Sequence, residues 1–479
     1  MGVVKCTFCC GVVWKRFSTM KWREWIVVVL CVVHRVTGHA GGHRATAGNA
    51  HIQLSNLERD FFFWRLEDRP EFASDVGIYR FNDRLEHFSM ERFPLRQSTA
   101  EYYLDELYAI PVANLSKKDQ VNHAILSDML QTYIEGYEWR EWNYLNPLNF
   151  LEGNQRNPSF FVESTPFDNR GDFENYIVRL QCMPRLNITY SISVENSVYF
   201  SPFLDILENM SMSPYIREDL QKRGREAVQQ VFRAYRKLNN YLEKVYMKHT
   251  RTGWGVGTLP NGSEYYKACL KWYLSLNMTP EEVHQLGLRE VQRTEAQMQR
   301  IMAKQGYAGY TVAAYFAELK KSGRFSLFTA EAMLDEYRNI IEHRIEPTLN
   351  GLFKDRPGLP VDPMPTDGSR GQYSSGTADG IRPGIFFANV LRPTEWPTYL
   401  MMALCLHETN PGHHLQMSFA ITADLPEFRK NKEYSAKFRV PFAFPTYTAY
   451  VEGWALMGYY DSEIFRACRL VVDTGLHYY

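Results

Sequence analysis

The sequence predicts a mainly α fold with one small β element. Several long segments repeat apolar residues at helical spacing and carry capping residues at their ends, whereas strand-like runs are few and short. The composition, with 45% hydrophobic and 23% charged residues, is that of a globular protein. No internal repeat or low-complexity linker divides the chain. We therefore expect one helical domain over residues 45–479.

The helix with the clearest end signals covers residues 279–306. Thr279 is a suitable N-cap, Pro280 occupies the first helical position, and Glu282 completes a capping box. Gly306 then ends the helix, because glycine readily adopts the backbone angles found after a last turn. These signals predict a scaffold helix of about seven turns.

Two more long helices are predicted, over about Pro214–Lys248 and about Thr329–Ile345, the second ended by Pro347. The clearest strand signal is GIFFANV, Gly384 to Val390, an apolar run rich in aromatic and branched residues. The segment from about Asp355 to Ser375 is rich in Pro, Gly, Asp and Ser, and we expect a loop there.

The charge balance argues against nucleic acid as a partner. Lys plus Arg and Asp plus Glu both number 54, so the formal net charge is zero. Proteins that bind nucleic acid concentrate basic residues in a patch or stripe, and no such stripe stands out in this sequence.

The N-terminal segment has the layout of a secretory signal peptide. After Met20 a basic stretch precedes the apolar run Trp25–Val33, which is followed by small residues. This run is about half as long as a membrane-spanning helix requires. We expect a secreted protein in which residues 1–40 are leader and signal peptide, with Met20 as a candidate start. A membrane anchor through the same run is the alternative.

Cysteines and glycosylation sequons agree with export. Four cysteines follow the expected signal peptide, and either two disulfides of undetermined pairing or four free thiols fit this number. They are Cys182, Cys269, Cys405 and Cys468. Sequons for N-glycosylation occur at Asn114, Asn187, Asn209, Asn261 and Asn277.

The segment HETNPGHH, His407–His414, holds three histidines and a glutamate, which are residue types that ligate zinc. A zinc peptidase helix normally reads H-E-x-x-H, because residues four apart share a helix face, but here Pro411 occupies that position. In a continuous helix, His413 would point about 240° away from His407, and His414 would lie about 10.5 Å further along. Neither histidine would then share a metal with His407.

Pro411 and Gly412 change this geometry. Pro411 lacks the N–H that would bond the His407 carbonyl, so it interrupts the helix. Gly412 tolerates backbone angles that are closed to other residues. The chain is then able to turn and bring a following histidine back toward His407. We favour His413 as the second metal ligand and keep His414 as the alternative.

A third metal ligand is expected from a later helix. The best candidate is Glu452 in TYTAYVEGWALMGYYD, because a carboxylate on an otherwise apolar helix is costly to bury without a partner. A Zn²⁺ ion would be that partner. Glu408 would then remain as the general base that takes a proton from metal-activated water.

Five segments of the chain resemble the domain of unknown function 885 family, whose members resemble zinc metallopeptidases of the gluzincin type. They occur in the family's order between about Asn261 and His477: GSEYYKACLKWYLSLNMTPEEVHQLGLREV, DGIRPGIFFANV, HETNPGHHLQ, YVEGWAL and RLVVDTGLH. The resemblance implies a large helical metallopeptidase-like fold with a deep cleft, His407 and Glu408 in zinc-peptidase roles, and Glu452 as the third ligand. The zinc helix of dipeptidyl peptidase III also carries an insertion, so the irregular spacing is compatible with catalysis.

Two features depart from the family pattern. Family members usually have a second glutamate seven residues after the first, where this chain has Tyr459, and metal affinity would fall if that glutamate matters. The family also continues beyond the DTGLH segment, whereas this chain stops at Tyr479. We therefore expect that the C-terminal part of the domain is missing.

The predicted function is a secreted zinc-dependent peptidase or amide hydrolase. GIFFANV is expected to pair as an edge strand with an extended peptide, with Arg382, Phe386 and Asn389 as candidate substrate contacts. Arg382 is better explained, however, as a residue that pins its loop. His477 is a candidate hydrogen-bond donor to the oxyanion. The alternative function is a secreted binding protein that keeps the peptidase fold without turnover.

Overall fold

Helices dominate the structure, and this confirms the predicted mainly α fold. The computed structural model describes residues 47–87, 89–144, 162, 164–183, 193–366, 371–377, 380, 382–433, 439–456 and 460–479. The expected signal peptide, the sequon at Asn187 and the departure at Tyr459 lie outside the described residues.

Sixteen α-helices lie in the described ranges. They are α1 (Ala47–Asp68), α2 (Pro70–Asp75), α3 (Arg92–Tyr108), α4 (Lys117–Gly136), α5 (Arg170–Cys182), α6 (Pro214–Lys244), α7 (Gly262–Leu274), α8 (Pro280–Lys304), α9 (Val312–Lys321), α10 (Ala330–Asn339), α11 (Glu346–Leu349), α12 (Thr398–Glu408), α13 (His413–Thr422), α14 (Glu427–Lys430), α15 (Thr448–Ala455) and α16 (Tyr460–His477).

The end signals of α8 act as predicted. The Thr279 side chain accepts a hydrogen bond from the Glu282 backbone N–H, and the Glu282 carboxylate accepts one from the Thr279 N–H, which completes the capping box. Gly306 follows the helix with a φ of +88°, a left-handed angle that favours glycine. Along its length α8 packs against α16.

The helix predicted over 329–345 continues further than expected. After α10, a π-helical segment covers Ile340–Ile345 and leads directly into α11. Pro347 is the second residue of α11 and directly follows the π-helical segment, so its missing N–H interrupts the regular hydrogen-bond pattern without ending the run. The helical run therefore continues through Pro347 to Leu349, and the prediction that Pro347 ends the helix is wrong.

A three-stranded sheet consists of β1 (Val361–Thr366), β2 (Gln372–Ser374) and β3 (Gly384–Asn389) in the order β1-β3-β2. Strand β3 pairs in parallel with β1 and antiparallel with β2. Two predictions are corrected here. The segment 355–375 contains two strands and is not only a loop, because prolines 363 and 365 are compatible with an edge strand. The GIFFANV strand is central, so it is not an edge strand for a peptide.

Two of the apolar cores position the elements around HETNPGHH. The core of the N-terminal helices includes Phe61, whose ring meets Phe428 and Phe444 edge-on. These contacts join α1 to α14 and to the chain that precedes α15. A second core contains Phe386 of β3 together with Cys405 of α12. The sheet therefore packs directly against the helix that ends in His407 and Glu408.

A buried ionic network fastens α1 to the residues that follow α14. Arg65 Nε lies 2.8 Å from Glu433 Oε1, and Arg69 Nη1 lies 2.7 Å from Glu433 Oε2. Asp68 pairs with both Arg65 and Arg96. Because each buried charge has an opposite partner, the network offsets the cost of removing these groups from water.

Cys182, Cys269, Cys405 and Cys468 are free thiols. Of the two alternatives, four free thiols is therefore the one that the structure has. The sequon residues Asn209, Asn261 and Asn277 are exposed, and Asn114 is half-buried. Glycosylation at these sites stays a prediction.

Candidate metal centre

Helix α12 presents His407 and Glu408 in its last turn. Met401 and Cys405 are buried in the core against the sheet, and this apolar face fixes the rotation of the helix. Glu408 lies seven residues after Met401, hence on the same inward face, and only 4% of its surface is exposed. The sequence of α12 therefore places a carboxylate inside the protein.

The helix stops directly after Glu408. The Thr409 N–H and hydroxyl both donate to the Cys405 carbonyl, at 2.8 and 2.6 Å, and the next helix begins only at His413. The Asn410–Pro411 peptide bond is cis. The Asn410 side-chain amide donates to Glu346 Oε1 at 2.5 Å, which ties the break to α11. The expected interruption at Pro411 is thus present as a break between two helices.

Glycine at position 412 is required by a close contact that the sequence does not reveal. Its φ is −78°, so it does not use the left-handed angles that favour glycine. A Cβ atom at this position would lie only 2.0 Å from the His407 carbonyl oxygen and 2.4 Å from the Leu406 carbonyl oxygen. Residue 412 must be glycine because the chain folds back onto the end of α12.

This fold-back brings together three of the sequence-predicted residues. His407, Glu408 and His413 each offer one ligand atom, and these atoms all lie within 4.8 Å of one another. The centroids of the two imidazole rings are 4.6 Å apart. His407 and His413 therefore share a face of the site despite the six-residue spacing that a continuous helix would not allow.

Glu452 approaches both histidines from α15. Its Oε2 lies 3.5 Å from His407 Nε2 and 3.8 Å from His413 Nε2. Two ligands of a tetrahedral zinc ion are about 3.3 Å apart, from bond lengths near 2 Å. The Glu452 side chain is 53% exposed, so the expectation that its burial demands a partner is wrong. Its position opposite both Nε2 atoms is what makes it a candidate ligand.

Helix α15 also orients the first histidine. His407 Nδ1 lies 2.9 Å from the Ala455 carbonyl oxygen, so Nδ1 carries the proton and donates it there. The lone pair of His407 then lies on Nε2, which faces Glu452. The Trp454 indole N–H donates to the Pro411 carbonyl at 2.8 Å. The sequence analysis singled out only Glu452 in this segment, whereas its neighbours Trp454 and Ala455 also contact the helix break and His407.

The electrostatics favour neutral imidazole at His413. Burial lowers the pKa of His413 to about 4, although the Glu452 charge acts in the opposite direction. The pKa of His407 is raised, because the hydrogen bond with Glu452 and the nearby carboxylates outweigh burial. Metal binding needs the neutral form of both rings, so a metal ion would compete with a proton on His407.

Glu408 has the environment of a group that exchanges protons near neutral pH. Burial raises the pKa of its carboxyl to about 7, and the charge of Glu452 adds to the increase. Among the described residues, its buried Oε2 has no hydrogen-bond partner. An orphaned buried oxygen beside two imidazoles and a carboxylate fits a catalytic zinc centre, in which water or substrate occupies the open position.

His414 lies outside this cluster. Its Nε2 is 2.9 Å from the Leu359 carbonyl oxygen and its Nδ1 is 3.0 Å from the Tyr373 hydroxyl. Both ring nitrogens of His414 therefore have protein partners. Of the two histidines considered as second metal ligand, His413 is the better candidate. Tyr373 lies in a segment that was expected to be a loop, and no sequence pattern pointed to it.

The remaining predicted residues lie elsewhere. Phe386 has no exposed surface and packs edge-on against Tyr337, so the prediction that it contacts substrate is wrong. Arg382 donates to the Asp75 carbonyl at 2.9 Å and pins its loop. The Asn389 side chain accepts a hydrogen bond from the Leu391 N–H.

His477 is held at the end of α16. Its Nδ1 accepts a hydrogen bond from the Val256 N–H at 3.0 Å, and its ring stacks on Tyr266 at 5.7 Å. None of its contacts within the described residues is with His407, Glu408 or His413. An oxyanion role for His477 stays a prediction.

Fold and site together define a mainly helical protein with a His-Glu-His cluster at a helix break. Residues 70–479 match a family described as bacterial protein of unknown function, DUF885, and the chain belongs to this family. The resemblance seen in the five ordered segments is thereby confirmed. No curated protein matches the chain.

Two solved structures share the fold. A candidate lipoprotein from Colwellia psychrerythraea has a TM-score of 0.75 at 22% identity, covering 90% of this chain and 84% of that one. A candidate lipoprotein of unknown function from Shewanella oneidensis has a TM-score of 0.56 at 15% identity, covering 88% and 83%. Within the described part of the chain, no helix has the length and apolar character needed to span a membrane.

Proposed function

We propose that the protein is a gluzincin-like, zinc-dependent hydrolase of peptide or amide bonds. One observation carries the proposal. The Nε2 atoms of His407 and His413 face one oxygen of Glu452, at 3.5 and 3.8 Å, beside a buried Glu408 carboxyl that lacks a partner among the described residues.

His407, His413 and Glu452 would hold the metal ion. When bound, zinc supplies Lewis acidity, polarising a carbonyl oxygen and lowering the pKa of water. The Ala455 carbonyl keeps the His407 ring in the tautomer that presents Nε2. The chain therefore provides both the ligand set and the contact that orients one of its members.

Glu408 would move the proton during hydrolysis. Its free Oε2 accepts a proton from the attacking water and returns it to the nitrogen of the leaving amine. A carboxyl with a pKa of about 7 suits both steps near neutral pH, because it gains and loses a proton with little cost. The surrounding apolar core excludes bulk water from the inner side of this carboxyl.

We also propose that the protein acts outside the cytoplasm. The signal-like layout of residues 20–40 supports export, and the two proteins with the same fold are described as candidate lipoproteins. The mature chain would then be secreted or attached to a membrane surface through its N-terminal region.

The test combines elemental analysis with hydrolysis of a mixed peptide library by the zinc-loaded full chain. Glu408→Gln should retain zinc and lose at least about 100-fold in activity, the usual contribution of a general base. Glu427→Gln, which changes an exposed carboxylate on α14, is the matched control and should behave as wild type. Stoichiometric zinc without cleavage of any peptide would refute the hydrolase and favour a binding protein with the same fold.

A further inference from the structure

An apolar cavity of about 370 Å³ lies next to the candidate metal centre. Its walls come from α1, α2, α4, α13, α14 and α15 and from the chain that connects the last three of these helices. Phenylalanine side chains supply much of its lining: Phe61, Phe62, Phe72, Phe428 and Phe444. A volume of this size falls in the range of sites for small ligands, and an apolar lining suits a large apolar group.

Two of the helices that line the cavity, α13 and α15, also carry candidate metal ligands. Gln416 lines it and follows His413 by three residues on α13, about 4.5 Å along the helix axis. Tyr450 also lines it and precedes Glu452 by two residues on α15. The Gln416 side-chain amide donates to the Tyr450 carbonyl at 3.4 Å, so the two helices meet at the cavity wall.

Lys432 brings a positive charge to this apolar cavity. Its Nζ lies 5.3 Å from the Tyr450 ring centroid, and within the described ranges it forms no ion pair with a carboxylate. Burial, together with the nearby Arg429 charge, lowers the pKa of Lys432 to about 8, which still leaves it mostly protonated at neutral pH. A half-buried ammonium without a protein anion is expected to attract an anionic group of a ligand.

Gln416 adds an unused acceptor. Its side chain is 7% exposed, and while its Nε2 is bound to Tyr450, its buried Oε1 has no partner among the described residues. An N–H of a bound peptide would satisfy this oxygen. The cavity thus combines a cation, an acceptor and an apolar interior, and its acceptor, Gln416, lies within one helical turn of His413.

We infer that this cavity binds the C-terminal residue of a peptide substrate, with the carboxylate on Lys432 and a large apolar side chain among the phenylalanines. An N-terminal amine fits less well, because the carboxylate in the lining, Glu433, is already bound by Arg65 and Arg69. The inference rests on the proposed hydrolase and specifies it as a carboxypeptidase-type exopeptidase.

Binding of N-acetyl-phenylalanine and of its amide to the zinc-loaded full chain, measured by calorimetry, tests the charge recognition. The free acid should bind wild type about tenfold to hundredfold more tightly than the amide, the contribution of a hydrogen bond to a charged group. Lys432→Met should abolish this preference and Lys432→Arg should retain it. Lys430→Met is the control, because Lys430 pairs with Glu427 and does not line the cavity.

The apolar part is tested by Ala420→Phe, which fills part of the cavity. This variant should lose affinity for N-acetyl-phenylalanine and keep it for N-acetyl-alanine. Equal binding of acid and amide by wild type, or an unchanged preference in Lys432→Met, would overturn the inference.

A cleavage assay with peptides ending in phenylalanine, as free acid or amide, separates the two proposals. Faster cleavage of the acids supports both. Equal cleavage of acids and amides leaves the hydrolase standing and overturns the carboxylate pocket. Selective binding of the acid without any cleavage supports the pocket and refutes the hydrolase.

Discussion

Replacing Gly412 by alanine tests whether the fold-back at the helix break builds the metal centre. A Cβ atom at this position would lie 2.0 Å from the His407 carbonyl oxygen, whereas ordinary contact begins at 3.4 Å. The two backbone segments must therefore separate by roughly 1.4 Å, the difference between these distances. His407 lies on one of these segments and His413 on the other, so the two histidines move apart as the segments separate.

The size of this displacement determines the expected result. Ligand distances in a metal site must be correct to about 0.2 Å, so a shift several times larger removes one histidine from the ligand set. We expect Gly412→Ala to bind zinc at least about 100-fold more weakly, similar to the largest effects of disturbing residues that orient ligands. The metal-free protein should lose about 1 to 3 kcal/mol of unfolding free energy through overpacking.

Zinc affinity is measured by competition with a chelator, and folding by circular dichroism and thermal unfolding of the metal-free protein. Gly453→Ala is the matched control, because Gly453 neighbours Glu452 on α15 and a Cβ there meets nothing within 4 Å. It should keep zinc affinity and gain up to about 1 kcal/mol from helix propensity. A folded Gly412→Ala protein that binds zinc as tightly as Gly453→Ala would refute the reasoning.

Three other variants probe the same molecule. Wild type is expected to hold one equivalent of zinc, and His407→Ala should lose it, as measured by elemental analysis. Equal zinc content in both proteins would show that the ligand assignment is wrong. Glu452→Gln should weaken zinc binding in the chelator assay and leave the fold intact. Glu433→Gln should cost about 3 to 5 kcal/mol near pH 7, because it removes the buried carboxylate that pairs with both Arg65 and Arg69 and leaves buried positive charge less compensated. Burial opposes ionisation of Glu433, but the two arginines lower its pKa to about 2, below an unfolded value of about 4.3. The stabilisation is therefore present above pH 4.3 and disappears toward pH 2. Denaturation across this range should show the unfolding free energies of wild type and Glu433→Gln converging.

The sequence was sufficient for features that depend on local interactions. The capping box at Thr279 and Glu282 and the interruption at Pro411 follow from neighbouring residues, and both are present in the structure. The family resemblance rested on ordered segments and was likewise confirmed. These features are accessible because each one is specified within a few positions of the chain.

Features that depend on distant contacts were missed. Strand β1 contains two prolines and looks like a loop until β3 pairs with it. GIFFANV reads as an edge strand, because nothing in its own residues reveals that β1 and β2 occupy both sides. The sequence suggested that Gly412 gives the backbone freedom, but it did not reveal that the His407 carbonyl across the turn leaves no room for a side chain.

The break in HETNPGHH and the segment EGWA act as one unit. Interrupting a helix leaves backbone carbonyls without their usual donors, and buried carbonyls of this kind are costly. Here the Thr409 carbonyl accepts from the His414 N–H at 3.1 Å, and the Pro411 carbonyl accepts from the Trp454 indole. The helix end that supplies this indole also supplies the Glu452 carboxylate and the carbonyl that orients His407. Docking of α15 therefore stabilises the irregular turn and brings Glu452 to the two histidines of the proposed ligand set. The spacing of these histidines thus depends on residues about 40 positions later in the chain.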